Sequence, residues 1–234
     1  MAASKQQRPR GWQHPVMVAF AAVLVIVAVA AVLAHAGVLG GDGVPAEGLT
    51  RVLIVAASPD ENGDVVGQII VLADVTEKPA ALEAVSPALP VSIPGTTYDT
   101  LADAYPFGGG AGVADALARA RDEVPHPYVA LTAEELAGAV DAAGGITVAL
   151  PADMSVFDGT DLFTFERGEQ TLGAAELQAV LKGAPYLADA DRERLDASLA
   201  QGLAAVLAAD QEALTGATRT NLSSDALMRV AASL

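Results

Sequence analysis

Four stretches of the chain carry residue types that could do chemistry. Residues 58–64, SPDENGD, hold Asp60, Asn62 and Asp64 at alternate positions, as the first ligands of a calcium loop do. That pattern next requires Gly at 65 and Glu at 71, and both positions are Val. Asn62-Gly63 is instead a strong hairpin-turn signal, so a solvated turn is expected. Residues 108–112, GGGAG, stand before a stretch read as a helix over 113–123 and could turn N–H groups toward a phosphate. They fit neither G-x-x-x-x-G-K-[ST] nor G-x-G-x-x-G, so a turn at a helix start is the expectation. His126 lies between Pro125 and Pro127. A catalytic His needs an orienting carboxylate, and spacing assigns none, so it reads as a loop residue. Residues 189–194, DADRER, concentrate charge at the start of a helix expected over 189–209. Acids there suit the positive end of the helix dipole, and Arg192 is a candidate for facing a bound phosphate.

Composition removes several classes of chemistry. The 234 residues include no Cys and only three His, and carry a formal net charge of −16. Without Cys there is no disulfide framework, Cys-ligated zinc, iron–sulfur cluster or thiol nucleophile. Two of the His, His14 and His35, flank a long apolar segment, so a His-rich metal site is excluded as well. The acidity argues against nucleic acid, which requires a basic face.

The elements that would position these residues alternate in type. Apolar runs at 51–57 and 65–73 read as buried strands on either side of the 58–64 turn. A third strand is expected at 81–86, followed by an irregular loop over 87–100 that holds three Pro. Further strands are expected at 128–131, 146–150 and 162–165. Thr132-Ala-Glu-Glu135 is a capping box, and Leu136, Val140 and Ala143 share one face of the helix it starts. Gly144-Gly145 stops that helix. Helices are also expected at 174–182 and 189–209, the latter with Leu195, Leu199, Leu203, Val206 and Leu207 on one face. The last twenty residues are weakly patterned, with a short helix from Ser224. The alternation predicts an α/β domain, three-layer αβα with a mixed central sheet.

Charge is unevenly spread. Lys5, Arg8 and Arg10 give residues 1–15 a charge of +3, leaving −19 for the rest of the chain. Residues 16–34 are nineteen in a row without a charge. As a helix they would reach roughly 28 Å, about the thickness of a bilayer core. Two readings stand: a retained single-pass anchor with its N-terminus in the cytoplasm, or a signal peptide cleaved after Ala34-His35-Ala36. Both place the remaining domain outside the cytoplasmic membrane. The organisation expected is a basic cytoplasmic tail over 1–15, a transmembrane anchor over 16–36, a Gly-rich linker over 37–49, the αβα domain over 50–210 and a tail over 211–234.

Laid out in this way, the chain resembles the LytR-CpsA-Psr family. YVALTAEELAGAVDAAGGITVALP, residues 128–151, contains Val140, Asp141, Gly144, Gly145, Ile146, Val148 and Pro151 where the family has V-D-x-x-G-G-[VI]-x-V-x-x-P. GEQTLGAAEL, residues 168–177, resembles the family's G-x-Q-x-L-x-G-x-x-A-L with one residue fewer. Ile93-Pro94-Gly95 and AYPFGG at 104–109 occur in the family's order. The resemblance implies a membrane-anchored domain that moves a glycopolymer from a polyprenyl-pyrophosphate carrier to peptidoglycan. Such a domain would hold lipid in an apolar pocket, pyrophosphate on Arg clusters and Mg²⁺ on Asp. Cations are needed because a pyrophosphate leaving group develops negative charge.

The chain departs from the family at these charged positions. The family's S-I-P-R-D is VSPAL here, residues 85–89, without the Arg or the Asp. The family's R-x-R after the 174–182 helix is reduced to Lys182. Its D-x-x-R survives as Asp189 to Arg192, and its magnesium Asp falls near Val66-Gly67, two residues from Asp64. Lys182 and Arg192 are therefore the phosphate-binding candidates, no metal ligand set is assigned, and no cofactor is expected, Mg²⁺ being required only by an active enzyme. Three functions follow from this. The first is a degenerate member that binds a polyprenyl-linked or cell-wall glycopolymer or regulates active paralogues; the second is a working phosphotransferase; the third is a non-catalytic interaction module with an acidic surface.

Overall fold

A computed structural model describes residues 43–217 and 219–234. The expected basic tail, anchor and first half of the linker lie outside the described residues. Among the described residues no helix is long and apolar enough to cross a membrane.

The central sheet has five strands in the order β3-β2-β1-β4-β9. These are β1 (Arg51–Pro59), β2 (Val65–Asp74), β3 (Ala81–Val85), β4 (Tyr128–Leu131) and β9 (Arg219–Thr220). β1 runs antiparallel to β2 and parallel to β4, and β2–β3 and β4–β9 are antiparallel, so the sheet is mixed. Successive side chains of a strand point to opposite faces. Val52, Ile54 and Ala56 of β1 accordingly join one core, and Leu53, Val55 and Ala57 join another. Burial on both faces is why β1 reads as an unbroken apolar run instead of an alternating one.

One face is covered by α1 (Ala104–Arg121), whose Val113, Ala114 and Leu117 pack on Leu53, Val55 and Ala130. The other is covered by α2 (Ala133–Ala142), α3 (Ala174–Gly183), α4 (Asp189–Ala209) and α6 (Ser224–Ser233). The fold is thus a mixed α/β domain with helices on both faces of a mixed sheet. Two antiparallel ribbons flank it. β5 (Ile146–Leu150) pairs with β8 (Gly168–Leu172), and β6 (Met154–Phe157) pairs with β7 (Leu162–Phe165).

The capping box forms as expected: Thr132 Oγ1 accepts from the Glu135 N–H at 3.2 Å, and the Thr132 N–H donates to Glu135 Oε2 at 2.7 Å. The 58–64 turn is also as read. Asp60 Oδ1 accepts from the backbone N–H groups of Asn62 and Asp64 at 2.8 and 2.9 Å. All five residues expected on the buried face of the 189–209 helix are buried.

Three expectations need correction. The Gly run at 108–112 is not a loop ahead of the helix: helical structure begins at Ala104, breaks at Gly109 (φ 56°) and resumes within the run, so α1 is two helical segments joined at a kink. The glycines serve close packing. A Cβ on Gly110 would lie 2.4 Å from the Tyr128 ring, and one on Gly112 2.6 Å from the Ala104 carbonyl oxygen. Secondly, residues 43–49 are not a free linker. The Val44 N–H donates to the Asn221 carbonyl at 2.8 Å, and Leu49 is buried. Thirdly, residues 211–234 are not a tail. α5 (Gln211–Thr215), β9 and α6 bring Leu214, Leu222, Leu227 and Val230 into the core. A single compact unit spans Asp42–Leu234.

Candidate functional site

Some of the positions singled out by the family resemblance, though not Lys182, line one cavity of about 220 Å³. It opens where β2 begins, beside the loop after β3, the entry to α1 and the first turns of α4. Val66, of the Val66-Gly67 pair near which the family's magnesium Asp falls, lines it, as do Pro87 and Ala88 of the VSPAL stretch and Arg192 of the surviving D-x-x-R. Ala88, where the family's S-I-P-R-D has its Arg, and Arg192 therefore line the same cavity.

Charge in this cavity is inverted relative to what a pyrophosphate needs. Arg192 is the only Lys or Arg among the described lining residues, and Asp60, Asp103 and Asp196 line it too. The guanidinium of Arg192 already donates to Asp189. Asp103 Oδ2 accepts from the Thr100 hydroxyl at 2.6 Å, and Asp60 is taken up by its own turn. Asp196 went unnoticed in the sequence because it sits in a charged helix start that reads as solvated surface. Burial pushes its carboxyl up to about 6; the Ser86 hydroxyl and Arg192 oppose that, and Glu193 adds to it. Its Oδ2 is buried without a hydrogen-bond partner.

A magnesium ion does not fit these residues. Val66-Gly67 and Leu89 supply no side-chain donor where the resemblance implies Asp. Among the described residues no three acidic or His side chains gather closely enough to hold a metal. Asp64 does not line the cavity residues' wall: its N–H is held by Asp60 in the turn, and its carbonyl accepts from the Asp60 N–H. No step through a metal is therefore derived.

Lys182 is separated from Arg192. It lines a different, larger groove of about 500 Å³ between the end of α3 and the β6–β7 ribbon. Its neighbour Leu181 lines the smaller cavity. Consecutive helix residues point about 100° apart, which sends the two side chains to different surfaces. His126 is in the loop before β4 as expected, its Nε2 3.2 Å from Glu123 Oε2.

Comparison with solved structures identifies this architecture. Protein gbs0355 from Streptococcus agalactiae superposes with a TM-score of 0.58 at 16% identity, over 79% of this chain and 73% of that one. TagV from B. subtilis gives 0.53 at 16% identity, over 79% of each chain. "TagT bound to LI-WTA" gives 0.51 at 18% identity, over 78% of this chain and 74% of that one. TagV and TagT are LytR-CpsA-Psr proteins. The domain has the LytR-CpsA-Psr fold. No protein-family model matches the sequence, and no curated protein matches it. The LytR-CpsA-Psr likeness is thus one of fold, carried at low identity.

Proposed function

We infer that this chain is a divergent, membrane-anchored LytR-CpsA-Psr-like protein of cell-envelope glycopolymer assembly, with its domain outside the cytoplasmic membrane. In this reading it binds a polyprenyl-linked or wall glycopolymer, or regulates active paralogues, without transferring the polymer. One observation carries the reading: a single, already paired arginine faces three carboxylates in the cavity where the family resemblance calls for several cations. Removing one preorganised charge partner typically costs about 3–4 kcal/mol of transition-state stabilisation, and here at least two are missing. The TagT structure with LI-WTA supports a glycopolymer as the ligand class. The cavity volume supports contact with a head group rather than a chain. At about 220 Å³ it falls below the usual size of small-molecule pockets, roughly 300–1,000 Å³. The anchor rests on the +3 tail followed by the uncharged 16–34 segment.

The test is a transfer assay with the full chain, a polyprenyl-pyrophosphate glycan, peptidoglycan acceptor and Mg²⁺. Release of polyprenyl phosphate is expected to stay at the level of a no-enzyme control. Mg²⁺-dependent transfer well above that level, abolished by Arg192→Ala, would overturn this reading and establish a working phosphotransferase.

A further inference from the structure

The groove of about 500 Å³ between α3 and the β6–β7 ribbon is larger than the cavity around Arg192 and chemically different from it. Its wall on one side is the β6–β7 ribbon, with Phe157 at the end of β6. On the other side is the 3₁₀ turn Ala184–Tyr186 that follows α3. The two sides are packed tightly at the base: a Cβ on Gly183 would lie 2.6 Å from Val156 Cγ2. The base of the groove is therefore closed by the Val156 and Met154 side chains lying against the Gly183 backbone.

Two aromatic rings line it and stay largely open to solvent, Phe157 at 65% exposure and Tyr186 at 77%. Single exposed apolar side chains are ordinary, but two rings lining one groove offer a joint apolar surface to a ligand. Tyr186 is fixed in place, because its hydroxyl donates to Glu61 in the β1–β2 turn. Polar groups are interleaved with the rings. Glu61, Asp153 and Asp158 supply acceptors, Lys182 supplies donors, and the Ser155 residue is exposed beside them.

This mixture selects among ligands. Three carboxylates against one lysine repel a polyanion, so a phosphate-rich polymer backbone does not belong here. A cationic peptide would be drawn by the net negative charge but would leave the two exposed rings uncovered. A neutral saccharide suits both features. Its hydroxyls donate to carboxylates and accept from the lysine, and its C–H faces cover aromatic rings that would otherwise stay wet. The groove volume is within the range that takes a ligand of drug size, such as a short oligosaccharide.

We propose that the groove between α3 and the β6–β7 ribbon is a binding site for a neutral oligosaccharide, stacked on Phe157 and Tyr186 and hydrogen-bonded by Glu61, Asp153, Asp158 and Lys182. This deepens the glycopolymer-binding reading above and rests on it. It assigns Lys182 to a glycan subsite apart from the Arg192 cavity.

The experiment is calorimetric titration of the full chain with chitotriose, maltotriose and mannotriose. An oligo(glycerol phosphate) and an oligolysine peptide are titrated in parallel. At least one trisaccharide is expected to bind in preference to both charged probes. Tyr186→Ala and Phe157→Ala should each weaken that binding by about tenfold, the scale of one lost aromatic contact. Tyr186→Phe, which keeps the ring but loses the bond to Glu61, should weaken it less than Tyr186→Ala does, and Met228→Ala, at an exposed side chain outside the groove, should leave it unchanged. Both rings are exposed, so unchanged circular-dichroism melting curves are expected for the variants. Absence of trisaccharide binding overturns the proposal, as does binding indifferent to the ring substitutions or preference for either charged probe. If transfer activity appears while the trisaccharide binding holds, only the earlier reading falls. If transfer stays at background and no trisaccharide binds, only this one does.

Discussion

Asp196 in the Arg192 cavity carries a carboxyl whose pKa burial raises. Burial holds its carboxyl protonated to about pH 6 in the folded chain, against an ordinary value of 3.8. Between those values the folded state binds more protons than the unfolded state. Stability from this group therefore falls as pH rises from about 4 to 6, and the penalty is complete above that window. Asp196→Asn removes the penalty. The expected gain is about 1–2 kcal/mol at neutral pH, discounted for partial exposure, and close to nothing near pH 4. Urea denaturation at the two pH values measures this difference. A loss of stability at neutral pH would mean that attraction to Arg192 outweighs the cost of burying the charge. At this scale the sequence showed the site incompletely. Arg192, Val66 and Ala88 could be related because a family pattern connects them across more than a hundred residues. Asp196 could not, because its burial is imposed by the loop after β3, which spacing on its own helix does not reveal. The family's R-x-R and D-x-x-R patterns group Lys182 with Arg192, but the 100° step from Leu181 to Lys182 on α3 turns Lys182 to a different groove.

Elements governed by local chemistry were legible. The Thr132–Glu135 capping box, the Asn62-Gly63 turn and the apolar face of α4 each depend on residues within a few positions of one another. β6, β8 and β9 were not read as strands: all are short, β8 and β9 gain their hydrogen bonds from β5 and β4 elsewhere in the chain, and β6 pairs only with β7 across the 158–161 turn. The Gly run in α1 looked like a loop for a related reason: glycine is a poor helix former, and the compensation lies in tertiary packing. That account makes a paired prediction. Gly110→Val forces side-chain atoms into the Tyr128 ring and should destabilise the domain by about 1–3 kcal/mol. Gly108→Ala meets nothing within 4 Å and has no positive φ, so it should be neutral or stabilising by about 0.5–1 kcal/mol. Urea midpoints for the two variants decide the matter. Equal losses at both positions would show that the run is needed for backbone freedom throughout, not for the approach of α1 to β4.

At the scale of the whole molecule, the chain after α4 completes the domain. Weak patterning hid this, since α6 turns Ala226, Leu227 and Val230 inward over only three turns, and β9 has just two residues. Their contacts are long-range ties. Arg229 Nη1 donates to the Ala46 carbonyl at 2.6 Å, the Ala80 N–H donates to the Ser233 carbonyl at 2.8 Å, and Asn221 Oδ1 accepts from the Tyr128 N–H at 2.8 Å. These bonds join the segment before β1, the connection between β2 and β3, and the start of β4 to the C-terminal region. Removing 211–234 would therefore expose Val52-side core residues, leave β4 as an unprotected sheet edge and strand several backbone groups at once. Burial of Leu214, Leu222, Leu227 and Val230 alone contributes about 1.5–3 kcal/mol each. Their sum is comparable to the entire stability of an ordinary domain, about 5–15 kcal/mol. A chain ending at residue 210 should accordingly lose cooperative unfolding and become sensitive to protease within the sheet. The full chain should unfold in a single transition over the described domain. The measurement is limited proteolysis alongside urea denaturation of both forms. A truncated chain with an unchanged urea midpoint would show that the 50–210 segment is self-sufficient and that α6 merely rests on it.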